Sequence, residues 1–360
     1  MRVIHALGFS HWKHRPLRQC FAGQRVRFVA RPEQVPEGAT LAVWGMRAVP
    51  QAAARGWRVL RVEDGFLRSV GLGADLIRPL SWVVDGRGMY FDASQPSDLE
   101  VLLAQRHFEP ELLRRAQALR QRLVASGLTK YNVGSAHWQR PAHARQVVLV
   151  PGQVESDASI ALGATGIRSN LALLQAARRA CPDAWLLYKP HPDVQAGLRA
   201  RGQGEQEAAR WCDAIVGDVP MGALLTQVDA VHCLTSLAGF EALLRGKQVV
   251  CHGLPFYAGW GLTQDPLSIL PPSPPDPAPA PAAPWLQAAA QRRARRLTLD
   301  ELVAGALLLY PRYLSRQRAG QLSAEQALDE LEAWRARSGT ATPWWRQHLR
   351  IWLRRIVGVR

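Results

Sequence analysis

Short apolar runs alternate with helical periodicity along most of this 360-residue chain. In the first third, β-branched and aromatic residues within these runs predict five strands, at 3–7, 26–30, 41–44, 57–62 and 81–84. Helices are predicted at 97–106 and 110–126. Ser97 is the predicted N-cap of the first of these helices, and Glu100 three residues later predicts a capping box. This alternation is typical of a parallel sheet covered by helices.

A second unit of the same kind begins near Arg145. Its predicted strands are 147–150, 184–188, 213–216, 229–233 and 248–251, and its predicted helices are 169–180, 205–212, 219–227 and 237–245. Two tandem α/β units joined near 130–145 predict two facing Rossmann-like domains with a ligand cleft between them. The predicted domains are 1–140 and 141–314, followed by a helical tail at 315–360.

The last hundred residues differ in character from the two units. Prolines crowd 266–284, which predicts a surface loop or linker without a packed core. A helix is predicted at 298–309, and Ser323 with Gln326 predicts a capped helix that extends to about residue 337. In the final segment an apolar face alternates with a basic one; the apolar residues are Trp345, Leu349, Trp352 and Ile356, and the basic ones Arg346, Arg350 and Arg354. This pattern indicates a membrane-surface anchor, the alternative being a tail helix docked on the body.

The net charge of the chain limits the kinds of partner that it is expected to bind. The net charge is +16 and the pI about 10.7, which predicts an anionic partner: a nucleotide, nucleic acid, acidic sugar or anionic lipid. Basic and aromatic residues do not interleave as in RNA-binding motifs, so nucleic acid is not the expected partner. Five scattered cysteines without a CxxC pair predict a reduced, cytoplasmic protein without zinc. Neither a signal peptide nor a membrane-spanning run is recognised, so any membrane contact is predicted to be peripheral.

Polar clusters follow three predicted strands of the second unit. Because the carboxyl ends of parallel strands meet at one edge of a sheet, these clusters are expected to lie together. Cations, imidazoles, hydroxyls and helix-start N–H groups bind phosphate, and a carboxylate binds ribose hydroxyls. We therefore predict a nucleotide with its phosphate between His191 and Ser236, and a wider set of donor-binding residues made up of Gln153, Lys189, His191, Thr235, Ser236 and Glu241. The structural alternatives are an exposed turn histidine, plain helix caps, and a Glu241 that only favours its helix N-terminus.

The end of a strand in the first unit carries a further charged group, Glu63-Asp64 with Arg68. We expect it to face the cleft, with Asp64 or Glu63 as a general acid/base and Arg68 on a substrate carboxylate. The alternative is a self-satisfied ion pair. The His-Pro-Asp and Glu-Asp-Gly acids are possible Mg²⁺ ligands, but the predicted phosphate site makes a metal unnecessary, so no metal and no cofactor are predicted. The chain has neither a P-loop nor a GxGxxG fingerprint.

Taken together, the motifs resemble the bacterial capsule Kdo-transferase family of the KpsC type, whose substrate Kdo is an acidic octulosonic sugar. The motifs are RVEDGFLRSVGLGADL, LTKYNVG, VPGQVESDASI, YKPHPDV and TSLAGFEALLRGK, and the resemblance runs from about residue 3 to 313. Typical members carry two such modules in a longer chain. This chain has one, and its opening GFSHWKHRPLRQCF is more similar to the second module.

The resemblance implies a GT-B glycosyltransferase that uses CMP-β-Kdo and retains the anomeric configuration. The implied acceptor is a lipid-linked Kdo in a poly-Kdo linker, at the cytoplasmic face of the Gram-negative inner membrane, beside other capsule biosynthesis proteins. Position and resemblance together make Asp157 the candidate nucleophile, with Glu155 as runner-up or helper and Ser159 as a substrate-binding residue. The alternatives are that Asp157 caps a helix, that the donor is another nucleotide sugar, or that the chain is a non-catalytic, membrane-associated component of capsule assembly or export.

Overall fold

The computed structural model describes residues 3–71, 77–268, 284–318 and 320–338. The predicted tail helix with its Trp and Arg residues, and most of the proline-rich segment 266–284, lie outside this part of the chain. In the described part, no helix combines the length and the apolar character needed to cross a membrane.

The first sheet of the fold is mixed. Its strands are β1 (Val3–Leu7), β2 (Arg25–Val29), β3 (Thr40–Trp44), β4 (Arg58–Asp64), β5 (Ser81–Asp85), β11 (Pro311–Leu314) and β12 (Gln321–Leu322). They lie in the order β12-β11-β5-β4-β3-β1-β2. Strands β1 to β4 are parallel, whereas β5 is antiparallel to both β4 and β11. The prediction of a parallel sheet is therefore correct for β1 to β4 and wrong for β5, β11 and β12.

The second sheet is parallel throughout. Its strands are β6 (Val147–Pro151), β7 (Trp185–Lys189), β8 (Ala214–Ile215), β9 (Ala230–Cys233) and β10 (Gln248–Cys251), in the order β10-β9-β6-β7-β8. All five residues of β6 are buried, as expected for a strand covered on both faces. The order of the strands reverses between β6 and β9, and open α/β sheets bind ligands at such a reversal.

Helices cover both sheets. They are α1 (His14–Cys20), α2 (Asp98–Gln105), α3 (Pro110–Ala125), α4 (Ala158–Gly163), α5 (Asn170–Ala180), α6 (Pro192–Gln195), α7 (Met221–Gln227), α8 (Leu237–Leu244), α9 (Pro284–Arg292), α10 (Leu299–Val303) and α11 (Ala324–Ser338). Short 3₁₀ turns occur at His11–Lys13, Pro32–Gln34 and Glu205–Arg210, and α10 continues as a π-helical turn at Ala304–Leu309. The strands and most of the helices predicted within the described residues are confirmed to within about two residues. The exceptions are the helix predicted at 205–212, which is a 3₁₀ helix at Glu205–Arg210, and the helix predicted at 298–309, whose second half is π-helical. Ser323 and Gln326 form the predicted reciprocal cap of α11.

The sheets do not divide the chain where the sequence pattern placed its domain boundaries. Residues 311–314 were assigned to the second unit and 321–322 to the helical tail, and neither segment was predicted to be a strand. They form β11, which pairs with β5 of the first sheet, and β12, which pairs with β11. Local periodicity carries no information on a pairing between strands this far apart in sequence. One hydrophobic cluster also contains Val83 of β5, Leu149 of β6 and Leu302 of α10, so the two sheets share a core.

A buried ion pair replaces the predicted capping box of α2. Ser97 does cap the helix, since its Oγ accepts from the Glu100 N–H at 3.0 Å. The Glu100 carboxylate turns instead to Arg292 and to Arg293, whose Nε lies 2.7 Å away. Arg293 also donates to the Pro255 and Ala258 carbonyls at 2.7 and 2.9 Å. One buried guanidinium therefore connects α2 to the loop that follows the second sheet.

Because Arg293 is only 4% exposed, its replacement by Met leaves two carbonyls and part of the Glu100 charge buried without a donor. We expect Arg293→Met to lower the free energy of unfolding by about 3 kcal/mol, measured by urea denaturation. The matched control is Arg114→Met, which removes an exposed ion pair with Glu111 and is expected to change stability by about 0.5 kcal/mol or less. Equal losses in the two variants would contradict this account.

Candidate functional site

A cavity of about 180 Å³ lies at the carboxyl ends of β6, β7 and β9. The segment at 129–133 and aromatic side chains of the first half, including Phe66, Tyr90 and Phe91, complete its wall. Eight of the predicted site residues line it: Gln153, Asp157, Ser159, Lys189, His191, Thr235, Ser236 and Glu241. The other four predicted residues, Glu63, Asp64, Arg68 and Glu155, lie outside this wall. The polar clusters that follow β6, β7 and β9 thus lie around one cavity, as expected from their positions at the carboxyl ends of these strands.

Gln153 fastens the ends of β6 and β9 to each other. Its Nε2 donates to Thr235 Oγ1 at 3.0 Å, and its Oε1 accepts from the Thr235 N–H at 2.9 Å. The Gln153 backbone makes a second reciprocal pair, both bonds 2.9 Å long, with the side chain of Asn170 at the start of α5. Because both polar atoms of its side chain are engaged, Gln153 sets the shape of the site in addition to lining it.

Glu155, the runner-up nucleophile, is engaged behind the cavity. Its Oε1 accepts from the Asn170 N–H at 2.7 Å, and its Oε2 accepts from the Gln203 N–H at 2.9 Å. A carboxylate at the first N–H of α5 also interacts favourably with the helix dipole. Glu155 thus holds Asn170, and Asn170 in turn holds Gln153, whereas the two predicted roles of Glu155, runner-up nucleophile or helper of Asp157, stay predictions.

Asp157 has the opposite environment. It lies at the N-cap position of α4, but its side chain makes no capping hydrogen bond, so the structural alternative of a helix cap is not what the geometry shows. Burial raises the pKa of the Asp157 carboxyl, while Arg199 and Lys130 act to lower it. Asp157 therefore presents a carboxylate to the cavity without a hydrogen bond to any described residue.

His191 is set up as a neutral hydrogen-bond donor. Its Nδ1 accepts from the Asp193 N–H at 3.2 Å, which assigns the proton to Nε2. Burial, and then the nearby charges of Lys130, Arg199 and Lys189, lower the pKa of the imidazole to about 4. Lys189 itself donates from Nζ to the Gly217 carbonyl at 2.6 Å, and burial lowers its pKa to about 8. His191 is the freer of the two groups to meet a ligand.

Ser236 begins α8 at the cavity wall. Its Oγ accepts from the Ala238 N–H at 3.2 Å, so the plain-cap alternative is part of what the structure shows. The Ser236 carbonyl is held by the hydroxyl of Tyr257 at 2.5 Å. Leu237 and Ala238 also line the cavity, so the positive end of this eight-residue helix borders the same space as His191.

Lys130 is the site residue that motif analysis did not assign. Its N–H donates to Glu241 Oε1 at 2.7 Å, and its carbonyl accepts from the Ser69 N–H at 3.1 Å, so both halves hold this segment. Burial opposes its charge, but Tyr131, Tyr90 and Asp64 together raise the pKa of the Lys130 ammonium. Asn132, at φ 53°, secures the turn through hydrogen bonds to Thr129. The signals in the sequence were the LTKYNVG motif and the rarity of lysine in this chain.

A family model described as capsule polysaccharide biosynthesis protein matches residues 42–133 and 105–313. The capsule polysaccharide modification protein LipA of Neisseria meningitidis is 40% identical over 334 residues, which is 90% of this chain and 44% of LipA. The lipopolysaccharide-processing protein LpsZ of Rhizobium meliloti is 37% identical over 348 residues, 91% of this chain and 74% of LpsZ. The chain belongs to the capsule polysaccharide biosynthesis family. It spans less than half the length of LipA.

Two solved structures are similar over nearly their whole length. A module of Thermosulfurimonas dismutans KpsC, described as a β-Kdo 2,7 transferase, has 36% identity and a TM-score of 0.70, covering 92% of this chain and 99% of that one. The module described as a β-Kdo 2,4 transferase has 32% identity and a TM-score of 0.74, covering 92% and 98%. The resemblance to the KpsC-type Kdo-transferase family is therefore confirmed.

In this capsule-family chain the charged group at the carboxyl end of β4 is satisfied in part from within, because Asp64 pairs with Arg68 through Oδ2 while its Oδ1 is buried without a hydrogen-bond partner among the described residues. Arg68, 2% exposed, donates from Nε to Asp64 Oδ2 at 2.5 Å and from Nη1 to Ser69 Oγ at 3.0 Å. The expectation that Arg68 holds a substrate carboxylate is thus corrected: burial commits it to Asp64. Glu63 differs, because burial and then repulsion from Asp64 raise its pKa to about 7.

Metal ligands are not gathered in the described part of the chain, where no three His, Cys, Asp or Glu side chains are grouped as a metal ion requires. The expectation that no metal takes part in the reaction stays a prediction.

Glu241 offers a pH test of the site. Burial raises the pKa of the Glu241 carboxyl from 4.5 to about 7. The contribution of Glu241 to the free energy of unfolding is therefore fully present below pH 4.5, where the carboxyl is protonated, and is lost as the pH rises through 7. Glu241→Gln keeps an oxygen for the Lys130 N–H but does not titrate. We expect the unfolding free energy of wild type relative to this variant to fall by roughly 2–3 kcal/mol between pH 5 and pH 8. Parallel pH profiles in urea denaturation would refute the assignment.

Proposed function

We propose that this chain is a retaining β-Kdo glycosyltransferase of GT-B arrangement that transfers Kdo from CMP-β-Kdo to a lipid-linked Kdo acceptor in capsule polysaccharide biosynthesis. The observation that carries the proposal is Asp157, a carboxylate without a hydrogen-bond partner among the described residues that shares one cavity with neutral His191 and the start of α8. The two similar modules, both described as β-Kdo transferases, support the choice of sugar.

The donor phosphate is assigned to the space between His191 and Ser236. The Nε2–H of His191, the N-terminal end of α8 and the nearby ammonium of Lys130 all favour an anion there. Glu241 keeps its second oxygen for a ribose hydroxyl, since Oε1 is held by the Lys130 N–H. Thr235 and Gln153 define the wall against which the nucleotide lies. CMP leaves as a phosphate monoester anion, and these groups stabilise its developing charge.

Retention follows from two successive inversions at the anomeric carbon. In the first, an Asp157 oxygen forms a bond to the anomeric carbon while the bond to the CMP phosphate oxygen breaks, and CMP takes the electron pair. In the second, an acceptor hydroxyl attacks the same carbon, loses its proton to a base, and displaces the Asp157 carboxylate. For the base we favour Glu63 over Asp64, because Asp64 is paired with Arg68 while the pKa of Glu63 is near 7.

The acceptor is assigned to the side of the first sheet, where Glu63 lies at the carboxyl end of β4 and Lys130 is held by the Ser69 N–H. A net charge of +16 favours an anionic surface, which suits a lipid-linked acceptor. We therefore place the protein as a peripheral component on the cytoplasmic face of the inner membrane, with other capsule biosynthesis proteins as its neighbours.

The nucleophile is tested by a transfer assay with CMP-Kdo generated in place and a lipid-linked Kdo acceptor, the product being identified by mass spectrometry. Asp157→Ala and Asp157→Asn are expected to lower the transfer rate at least roughly 10³-fold, since neither side chain can form the ester. The matched control is Glu155→Gln, which alters the carboxylate behind the cavity and is expected to keep transfer within about tenfold of wild type.

Unimpaired transfer by either Asp157 variant would remove Asp157 from the reaction but leave the enzyme. No transfer by folded wild type, over several Kdo-bearing acceptors, would overturn the choice of donor.

A further inference from the structure

A cluster of three arginines lies outside the cavity, at the edge of the first sheet. We call Arg15 of α1, Arg78 before β5 and Arg316 after β11 the arginine cluster; none of them lines the cavity. Because β5 is antiparallel to both β4 and β11, the carboxyl ends of β4 and β11 share one edge. Two strand spacings separate them, roughly 10 Å. The cluster therefore lies on the edge of the sheet that carries Glu63 and Asp64.

The guanidinium groups of the cluster make few bonds, and those bonds go to neutral oxygens. Arg78 donates from Nη2 to the Ser315 carbonyl at 2.8 Å and to the side-chain oxygen of Gln19. Its Nε is buried and has no hydrogen-bond partner among the described residues. Arg316 stacks on Trp334, with its guanidinium carbon 3.4 Å from the ring centroid. Its Nη1 is also buried, and no residue in the described part of the chain accepts a hydrogen bond from it. An unpaired buried donor is costly, so two such donors on arginines close enough to interact electrostatically indicate a missing acceptor.

Within residues 3–71, 77–268, 284–318 and 320–338, no ion pair balances the charge of the cluster. The acid beside it, Glu330, accepts from Ser315 Oγ at 2.6 Å and from the Arg316 backbone N–H at 3.1 Å, and it forms no salt bridge with the cluster. Burial and then the like charge of Arg15 lower the pKa of Arg78, burial and then Arg78 lower the pKa of Arg316, and Glu330 acts to raise both pKa values. Arg78 is therefore repelled by both Arg15 and Arg316 in a partly buried space, and Glu330 offsets this repulsion without forming a salt bridge to the cluster.

We propose that the arginine cluster binds a phosphate group. A carboxylate has two oxygens, which one arginine can satisfy, whereas a phosphate has more oxygens and up to two charges, which suits N–H groups arriving from separate arginines. The source of the phosphate is either a soluble phosphate ester or the headgroup of a lipid. The site is distinct from the donor cavity, and the proposal does not depend on the identity of the transferred sugar.

The test is isothermal titration of the full chain with inorganic phosphate at constant ionic strength. Arg78→Met is expected to weaken binding at least tenfold. Arg15→Gln is expected to weaken it several-fold, and this variant guards against misfolding because Arg15 is exposed and its guanidinium makes no hydrogen bond to the described residues. The matched control is Arg58→Gln, which removes an exposed arginine at the opposite end of β4 and is expected to leave the affinity unchanged.

The variant His191→Ala distinguishes phosphate binding in the donor cavity from phosphate binding at the arginine cluster. It is expected to retain the phosphate binding that the arginine variants lose. Loss of phosphate binding in His191→Ala with full binding in Arg78→Met and Arg15→Gln would overturn the proposal, and so would no measurable binding by wild type. Unfolding midpoints in chloride buffer check the fold: without phosphate, relief of repulsion is expected to leave Arg15→Gln at least as stable as wild type.

The two sources of phosphate are distinguished with phosphatidylcholine vesicles that contain or lack phosphatidic acid. Sedimentation with the acidic vesicles that is reduced by Arg78→Met but not by Arg58→Gln supports a lipid headgroup. Phosphate binding with equal sedimentation of the two variants supports a soluble phosphate ester. Both variants are compared in the full chain, so the basic segment at 339–360 contributes equally to each.

Discussion

The hydrogen bonds between Gln153 and Thr235 are the contact on which the rest of the site depends. They join the ends of β6 and β9 at the point where the strand order reverses. With that spacing fixed, Asp157 follows one strand and Ser236 opens a helix after the other, so a carboxylate and a helix N-terminus face the same space. Glu155 and Asn170 support this contact from behind. A small shift between the two strands would separate the groups that the proposed reaction needs together, because reactivity falls steeply with misplacement.

Lysine is rare in this arginine-rich chain, and three of its lysines lie in the candidate site or act on a charged group beside it. Lys130 and Lys189 line the cavity, and Lys13 acts on the charge of Glu63. An ammonium on a flexible stem changes pKa readily when buried, whereas a guanidinium keeps its charge and its planar geometry. The arginines accordingly serve in ion pairs such as that of Arg293 with Glu100, or in the arginine cluster, where their planar N–H groups suit phosphate oxygens.

The residues that follow the strand ends were the part of the site that could be predicted from the sequence. Apolar runs located the strands, and the rule that the carboxyl ends of parallel strands meet at one edge correctly predicted that Asp157, His191 and Ser236 lie together. Three features could not be predicted, for physical reasons. The return of β11 to the first sheet depends on non-local pairing. The choice of Glu100 between Ser97 and Arg293 depends on tertiary packing. Lys130 enters the cavity because Glu241, far away in sequence, holds its N–H.

The central claim, that Asp157 attacks the anomeric carbon, is tested most directly by incubating the protein with CMP-β-Kdo in the absence of acceptor and measuring its intact mass. The account predicts a covalent adduct of one Kdo residue on wild type, mapped by peptide sequencing to Asp157 and discharged when acceptor is added. No adduct should form on Asp157→Asn. An adduct on another residue, or turnover with no adduct under rapid quenching, would contradict it.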